Sequence, residues 1–342
     1  MSGSWNSESK LRNVGLASSP APLRIGLVAD VHKDVMHDAD DRLTRFIDHM
    51  QQVKPDFILQ LGDFCTPVPQ NRGFLSIWER FDGPRYHVLG NHDMDGDPAK
   101  GPEKKYTFTR DETMAYWGMP APYYAFDAGG VHVVILDGND PGPEQEPYYA
   151  YLGDEQLAWL ERDLEATSLP TILFCHQGLE RKDGVANQEA VRCLLESANE
   201  QAGGGKVIAC FSGHHHRDYA RRISGIHHAK INSMSYYFLG KRFAHLRYNE
   251  EVDRKYPTIK HTAPYRDPLY ALVTIDPRQG ILDIQGTRSE FVGPTPWELG
   301  ASPKELEASS LVPRISDWQV SSTDPTLESQ VRTGTGKDTE RS

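Results

Sequence analysis

The sequence predicts a layered α/β fold, in which helices flank a β-sheet that is covered on both faces. Two observations lead to this prediction. Short apolar runs alternate along the chain with longer segments whose apolar residues recur at helical spacing, which is a β-α-β succession. The short runs are apolar throughout, as is typical of strands buried on both faces. At 342 residues and 38% hydrophobic content, the chain is long enough for one large domain or two smaller ones.

Six apolar runs in the first two thirds of the chain are predicted to be strands. Closer to the other end, residues 269–275 and 281–286 are joined by an Asp-Pro-Arg-Gln-Gly segment and predict a hairpin. No internal repeat is evident. The six earlier runs cover residues 23–29, 57–61, 86–89, 131–136, 171–175 and 207–211.

Three segments between these runs are predicted to be helices. The first follows an acidic pair at residues 40–41, which favours a helix N-terminus. The second covers residues 154–166, and the third begins after Asn187, a plausible cap, and ends near residue 199. The apolar positions of the first segment fall at i, i+3, i+4 and i+7: Leu43, Phe46, Ile47 and Met50.

The two ends of the chain differ in composition from its centre. Residues 1–20 are rich in Ser and Asn and predict a flexible N-terminal arm. Residues 21–298 form the predicted structured domain. Residues 299–342 are polar and predict an extension that is largely disordered after about residue 320.

The net charge of the chain bears on which classes of partner it binds. The chain has 37 basic and 48 acidic residues and a net charge of −11, which argues against general binding to nucleic acid or to an anionic membrane. No apolar run approaches the roughly 20 residues of a membrane span, and the first residues lack a signal-peptide pattern. We therefore expect a soluble, cytoplasmic protein without a membrane partner.

The four cysteines agree with that expectation, because none forms a Cys-x-x-Cys pair and buried, reduced thiols are the simplest interpretation. Cys175 directly precedes His176. Strand alternation is expected to point its thiol to the opposite side, away from any site that His176 forms.

Five polar blocks follow apolar runs, at the strand ends where ligands of open α/β sheets gather. Together they hold enough oxygen and imidazole groups for two metal ions that share one bridging ligand, an arrangement that activates water in phosphoryl transfer. The blocks are Asp30-Val31-His32, Gly62-Asp63, Gly90-Asn91-His92-Asp93, His176 and Gly213-His214-His215-His216.

Spacing within the blocks carries further information. Asp30 and His32 are two residues apart, and in an extended segment their side chains would reach the same metal. His214 and His216 repeat this spacing, whereas His215 should face away as a packing residue.

A glycine stands directly before a proposed ligand in three of the blocks, at Gly62, Gly90 and Gly213. A residue without Cβ permits a sharp turn and a close approach of the backbone to the ligand. Each unit alone is weak, since a single Gly-Asp or Asn-His-Asp is usually a turn or polar loop. Five units in one order form a strong signal.

This ordered set resembles the calcineurin-like metallophosphoesterase superfamily, whose pattern is Asp-x-His, Gly-Asp, Gly-Asn-His-Asp/Glu, His and Gly-His-x-His. The resemblance spans residues 23–216 and implies a β-sandwich of mixed sheets flanked by helices, with the site at the C-terminal ends of the strands. It makes residues 21–298 the catalytic domain. The implied ligands are Asp30, His32 and His216 for one metal, Asn91, His176 and His214 for the other, and Asp63 as the bridge.

The implied chemistry is hydrolysis by a metal-activated hydroxide that attacks phosphorus opposite the leaving group. The mixed carboxylate and imidazole ligands suit Mn, Fe or Zn. His92 is the candidate to protonate the leaving oxygen, and with Asn91 it is expected to contact the substrate. Asp93 either orients His92 or caps the loop.

The substrate class is predicted from differences between this sequence and particular branches of the superfamily. After Gly62-Asp63 the chain lacks the further Asp and Arg of the family's protein phosphatases, and it lacks the basic stripe expected of a duplex nuclease. The compact spacing and residues 152–160 resemble the small-molecule phosphodiesterase branch, which includes class III cyclic-nucleotide phosphodiesterases and Mn-dependent ADP-ribose/CDP-alcohol diphosphatases. We predict hydrolysis of phosphodiester or pyrophosphate bonds in a small nucleotide-like substrate. A phosphomonoesterase and a metal-stabilised, non-catalytic interaction scaffold remain as alternatives.

Three segments are candidates for the rest of the pocket. Asp34, His37 and Asp38 either line its mouth or form a solvated loop. The Tyr-rich residues 141–151 either cover a base or pack against the sheet. Residues 227–237 are either a strand with a polar edge or a substrate contact.

Overall fold

A computed structural model describes residues 21–96, 107–143 and 150–321 of the protein. The predicted N-terminal arm and the tail after residue 321 lie outside the described residues. The strands, in chain order, are β1 (Leu23–Val28), β2 (Phe57–Gln60), β3 (Arg85–His87), β4 (Tyr124–Ala128), β5 (Val131–Leu136), β6 (Thr171–Cys175), β7 (Val207–Ser212), β8 (Tyr219–Ile223), β9 (Ile226–Lys230), β10 (Tyr236–Phe238), β11 (Thr262–Pro264), β12 (Ala271–Asp276), β13 (Ile281–Gly286) and β14 (Trp318–Ser321).

Helices follow several of these strands. Asn187 stands at the N-cap position of α5, as predicted, and α1 has two acidic residues in its first turn. The α-helices are α1 (Ala39–Val53), α2 (Arg72–Glu79), α3 (Arg110–Trp117), α4 (Asp154–Ala166), α5 (Gln188–Gln201) and α6 (Glu250–Lys255).

The strands form two six-stranded mixed sheets and one small two-stranded sheet. The first sheet has the order β14-β13-β12-β1-β2-β3, and the second has the order β4-β5-β6-β7-β9-β8. Within the first, β1, β2 and β3 run parallel, while β12 pairs antiparallel with β1. In the second, β5, β6 and β7 run parallel. The small sheet pairs β10 with β11.

The two large sheets pack face to face, and helices cover their outer faces. Adjacent residues of β5 show the arrangement, because Val133 lies in the core between the sheets while Val134 packs with α4 and α5. On the other side, Phe46 of α1 and Trp78 of α2 pack with Ile58 of β2. Central strands are therefore buried on both faces, which is why they appear in the sequence as continuous apolar runs.

The predicted layered α/β fold is thus confirmed as a helix-flanked sandwich of mixed sheets. The strands at 131–136 and 171–175 and the helix at 154–166 coincide with β5, β6 and α4, and the predicted hairpin is formed by β12 and β13. The segment at residues 227–237, for which a strand was one of two interpretations, contains most of β9 and β10. The sequence interpretation did not identify β4, β8, β11, β14, α2, α3 and α6.

The C-terminal segment differs from its prediction. Leu311, Ile315 and Trp318 are buried, and β14 extends the first sheet by pairing with β13. Ser316 also donates hydrogen bonds to Asp218 through its backbone N–H and its hydroxyl. Part of the segment after residue 298 therefore packs on the sandwich, and the domain boundary at residue 298 stays a prediction. The polar composition of this segment does not indicate this packing, because a few buried apolar side chains stand among many polar ones.

Within the described ranges, no helix is both long enough and apolar enough to span a membrane. The four cysteines are free, and Cys65, Cys175 and Cys210 are buried. Burial raises the pKa of the Cys175 thiol to about 12, and its side chain packs in the core beneath α4 and α5. Cys175 thus points away from His176, as strand alternation predicts.

Candidate metal centre

The five polar blocks meet at one edge of the sandwich, where β1, β2, β3, β6 and β7 end. Two groups of side chains form there, and within each group the potential ligand atoms lie within 4.8 Å of one another. The first group contains Asp30, His32 and His216, and the second contains Asp63, His176 and His214.

The first cluster is almost completely shielded from solvent. His216 Nε2 lies 3.3 Å from Asp30 Oδ1 and 3.1 Å from His32 Nε2. His32 and Asp30 are both buried. Three potential ligand atoms from blocks far apart in the chain therefore face one point.

The second cluster lies beside the first. His176 Nε2 is 3.2 Å from Asp63 Oδ2 and 3.2 Å from His214 Nδ1. Asn91 joins it, because its Oδ1 lies 3.2 Å from the same His176 nitrogen. All seven predicted metal ligands are thus brought together, in the grouping that the resemblance implies.

Asp63 lies between the two clusters. Its Oδ2 is 3.2 Å from His176 Nε2 and 3.6 Å from His32 Nε2, so a single oxygen faces both. Its Oδ1 accepts a hydrogen bond of 2.8 Å from the backbone N–H of His92. Asp63 is therefore a carboxylate within reach of both clusters.

The hydrogen bonds of the histidines test whether cations fit. His176 Nδ1 lies 2.7 Å from the carbonyl oxygen of Leu61, and His216 Nδ1 lies 2.7 Å from that of Tyr236. A carbonyl only accepts, so each Nδ1 carries the proton, and in the neutral rings each Nε2 presents a lone pair to the cluster. Metal-binding histidines are held in this way. The facing lone pairs and carboxylates suit a cation at each cluster.

Burial and the nearby carboxylates have opposite effects on the pKa values of these histidines. Burial lowers the pKa of His32 and of His214, which favours the neutral form that binds metal. Burial also opposes a charge on His176, but the facing Asp63 carboxylate raises the pKa of that ring to about 9.

The backbone at the ligands has an unusual conformation. Five of the seven have positive φ angles between 51° and 69°, in the left-handed region that non-glycine residues rarely adopt. Such strain persists where the surrounding structure enforces it and is typical of functional sites. The expectation that Asp30 and His32 lie in an extended segment is therefore wrong, and left-handed turns direct them instead. The five are Asp30, His32, Asp63, His214 and His216.

The glycines before the ligands are required by close approach. A Cβ on Gly90 would collide with the backbone and carboxylate of Asp63, and one on Gly213 would collide with the Asp30 carboxylate. At Gly62, a Cβ would lie 2.5 Å from His176 Nδ1, and the φ of +92° also favours glycine. These contacts agree with the sequence interpretation.

Gly213→Ala is expected to weaken metal binding without unfolding the protein. The new methyl group displaces the Asp30 carboxylate, and disturbing the support of a metal ligand typically costs 10–100-fold in affinity. Calorimetric titration of the metal-free protein with Mn²⁺ measures this change. Gly73→Ala is the matched control, because a Cβ there meets nothing within 4 Å. Equal Mn²⁺ affinity in both variants would contradict the prediction.

The catalytic candidates lie beside the clusters. The His92 side chain is 54% exposed, and its Nδ1 lies 2.6 Å from Asp95 Oδ2. Burial opposes a charge on His92, but Asp63 and Asp95 together raise its pKa to about 9.

Asp93 does not contact the His92 ring through any hydrogen bond among the described residues. Its carboxylate accepts backbone N–H groups from Asp63, Phe64, Cys65 and Gly90.

Those contacts match the loop-capping interpretation of Asp93, whereas Asp95 is the carboxylate that orients His92. The sequence interpretation missed Asp95. Its spacing of three residues from His92 in a short turn is the signal that could have found it.

His215 lies between two ligands but belongs to neither cluster. Its Nε2 lies 3.1 Å from the Asp183 carbonyl oxygen, and its Nδ1 lies 3.4 Å from the buried Lys230 ammonium. The ring therefore connects the 178–187 loop to the strand ends as a packing residue does, but it also lines the cavity beside the clusters and so does not face away from it.

A cavity of about 830 Å³ opens beside both clusters. Asp34 lines it, whereas the His37 ring contacts the Tyr248 ring at a tilted angle and Asp38 accepts a hydrogen bond from Arg42. Tyr148 and Tyr149 lie outside the described residues. Sequence reasoning missed the contribution of Phe238, Lys241, Thr258 and His261, which also line the cavity.

Comparison with known proteins gives an independent view. Residues 23–218 match the sequence family described as calcineurin-like phosphoesterase. This match covers the five polar blocks and ends two residues after His216.

Two plant enzymes, each called manganese-dependent ADP-ribose/CDP-alcohol diphosphatase, are similar in sequence. The one from Arabidopsis thaliana is 24% identical over 230 residues, which cover 52% of this chain and 70% of that enzyme. The one from Oryza sativa subsp. japonica is 24% identical over 220 residues, covering 52% and 68%. Among solved structures, a dimetal phosphatase from Danio rerio has a similar fold, with a TM-score of 0.55, 16% identity and coverage of 80% of this chain and 99% of that one.

Proposed function

The chain belongs to the calcineurin-like phosphoesterase family, and from that premise we propose that it hydrolyses a phosphodiester or pyrophosphate bond in a small, nucleotide-like substrate. The observation that carries the proposal is the position of Asp63, one oxygen of which faces both ligand clusters at the edge of a cavity large enough for such a molecule.

Each cluster supplies one metal site in this proposal. Asp30, His32 and His216 hold the first ion, while Asn91, His176 and His214 hold the second, and Asp63 is shared. A metal pair of this kind, when bound, activates water and neutralises charge on the phosphoryl oxygens. The oxygen and imidazole ligands suit Mn²⁺, and the two plant relatives are named for manganese dependence.

The remaining residues act on the substrate. His92 lines the cavity, and we assign it the delivery of a proton to the leaving oxygen. The His92 Nδ1–H donates a hydrogen bond of 2.6 Å to Asp95 Oδ2, which holds the ring and fixes the direction of Nε2. Asn91 positions a phosphoryl oxygen through its amide group. Asp93 holds the backbone of the Gly62-Asp63 and Gly90 turns and acts through them.

A diester or pyrophosphate is favoured over a monoester because the cavity extends well beyond the two clusters. Its apolar and aromatic lining suits an organic group on the far side of the phosphorus. The names of the two plant relatives indicate substrates of this kind, ADP-ribose and CDP-alcohols.

A screen of the purified protein tests the proposal. The metal-free protein is reconstituted with Mn²⁺ and assayed on ADP-ribose, CDP-choline, cyclic AMP and glycerophosphocholine, and separately on bis-p-nitrophenyl phosphate and p-nitrophenyl phosphate. We expect turnover of at least one nucleotide substrate and a higher kcat/KM on the diester than on the monoester. Faster hydrolysis of the monoester would assign a phosphomonoesterase, and two bound metals without any turnover would assign a scaffold.

A further inference from the structure

One wall of the cavity comes from β10 and the residues that follow it. We call it the β10 wall and define it by four residues that belong to neither metal cluster: Phe238, Lys241, Thr258 and His261. The proposed hydrolysis assigns these residues no role.

Phe238 exposes its ring to the cavity. In the described part of the chain, the large apolar side chains that remain exposed are Phe238, at 53%, and Leu246, at 49%. Only Phe238 of the two lines the cavity. When a ligand enters the cavity and packs on this aromatic ring, apolar surface of the ring is removed from water, which favours binding.

The position of this ring is fixed relative to the metal ligands. The Tyr236 ring contacts the rings of His32 and His216, with 5.0 Å between centroids in each case. Alternate residues of a strand share a face, so Phe238 lies on the same side of β10, about 7 Å further along. Pairing of Phe238 with Thr262 holds the backbone there.

Lys241 is the cation of the β10 wall. Its side chain is exposed, and none of the ion pairs formed among the described residues includes it. The neighbouring Arg242 lies over the Phe243 ring at 5.0 Å and does not line the cavity. Among the residues that the structure describes, this ammonium therefore has no ion-pair partner, although Asp34 and Asp95 line the same cavity, and it suits an anionic ligand.

We infer that Phe238 and Lys241 form a subsite for the part of the substrate beyond the attacked phosphorus, in which a planar nucleobase packs on Phe238 and a second phosphate pairs with Lys241. The inference rests on the proposed function, because it requires the attacked phosphate to lie at the metal clusters. Such a subsite favours a nucleoside diphosphate ester, which has both a base and a second phosphate, over a simple diester.

Two p-nitrophenyl diesters with the same leaving group test the base contact. Thymidine 5′-(p-nitrophenyl phosphate) carries a base, and methyl p-nitrophenyl phosphate carries none. With Mn²⁺-loaded protein, Phe238→Ala should lower kcat/KM on the thymidine ester about tenfold, mainly through KM, and change the methyl ester by less than about twofold. Phe238→Tyr should restore the preference, and Leu246→Ala is the matched control without effect.

The phosphate contact is tested by comparing ADP-ribose, which has two phosphates, with the thymidine ester, which has one. Lys241→Ala should lower kcat/KM about fivefold on ADP-ribose and leave kcat/KM on the thymidine ester unchanged. Lys241→Arg should retain the kcat/KM of the wild-type protein on ADP-ribose. Arg242→Ala, which removes the neighbouring cation, should have no effect. The loss should shrink as salt concentration rises.

Equal losses on both p-nitrophenyl esters, or no loss in Phe238→Ala, would overturn the subsite and leave the proposed function intact. If the wild-type protein hydrolyses neither these esters nor ADP-ribose, the proposed function fails, and calorimetric binding of α,β-methylene-ADP then tests the subsite directly. Weaker binding in both variants would support it, and unchanged binding would overturn it.

Discussion

Replacing Asp63 with asparagine is expected to remove bound manganese and turnover together. One Asp63 oxygen lies 3.2 Å from His176 Nε2 and 3.6 Å from His32 Nε2, so both clusters lose a ligand in this single variant. The amide also carries no charge to balance two cations. Because bound metals contribute several kcal/mol to such reactions, kcat should fall by at least about 10³-fold. Atomic absorption of dialysed protein and steady-state kinetics measure the two effects.

Asp34→Asn is the matched control. Asp34 lines the same cavity but belongs to neither cluster, and it accepts hydrogen bonds from the Thr66 backbone and the Asn71 side chain. This variant should retain two equivalents of manganese. Wild-type protein treated with EDTA should match Asp63→Asn in activity but recover when Mn²⁺ is added. Two full equivalents with normal rates in Asp63→Asn would refute the proposed ligand assignment.

The central strands could be predicted from the sequence because burial on both faces leaves a continuous apolar run. Residues 131–136 show this directly, since they face the inter-sheet core and the helices in alternation. At β14 the same reasoning fails. Trp318 and Val320 are buried there, and the strand exists because it pairs with β13, far away in the chain. Such tertiary pairing leaves little local signal.

The chemistry of the site was predictable for a different reason. Metal ligands must be particular residue types, so their identities and order are visible in the chain. The backbone that directs them was not predictable. His214 and His216 both have positive φ angles, which their side chains do not favour and which the surrounding fold enforces. Phe238 could not be recognised either, because only the folded chain places β10 beside the clusters.

His92→Ala is expected to leave both metals in place and reduce the rate. The His92 ring belongs to neither cluster, and its contact with Asp63 is made by the backbone N–H, which alanine retains. Loss of a general acid costs about 10²–10⁴-fold in rate. The loss should depend on the leaving group, since an alkoxide needs a proton and p-nitrophenolate does not. We therefore expect the full effect on kcat for glycerophosphocholine and a much smaller one for bis-p-nitrophenyl phosphate.

This dependence on the leaving group separates proton transfer from a structural effect. A disturbed cavity would slow both substrates alike, whereas the loss of an acid slows only the poor leaving group. Asp95→Asn weakens the contact of 2.6 Å that orients the ring, so it should show the same pattern with a smaller amplitude. If kcat for the alkyl diester is unchanged in His92→Ala while chemistry limits the rate, His92 takes no part in the reaction, and the proton must come from solvent.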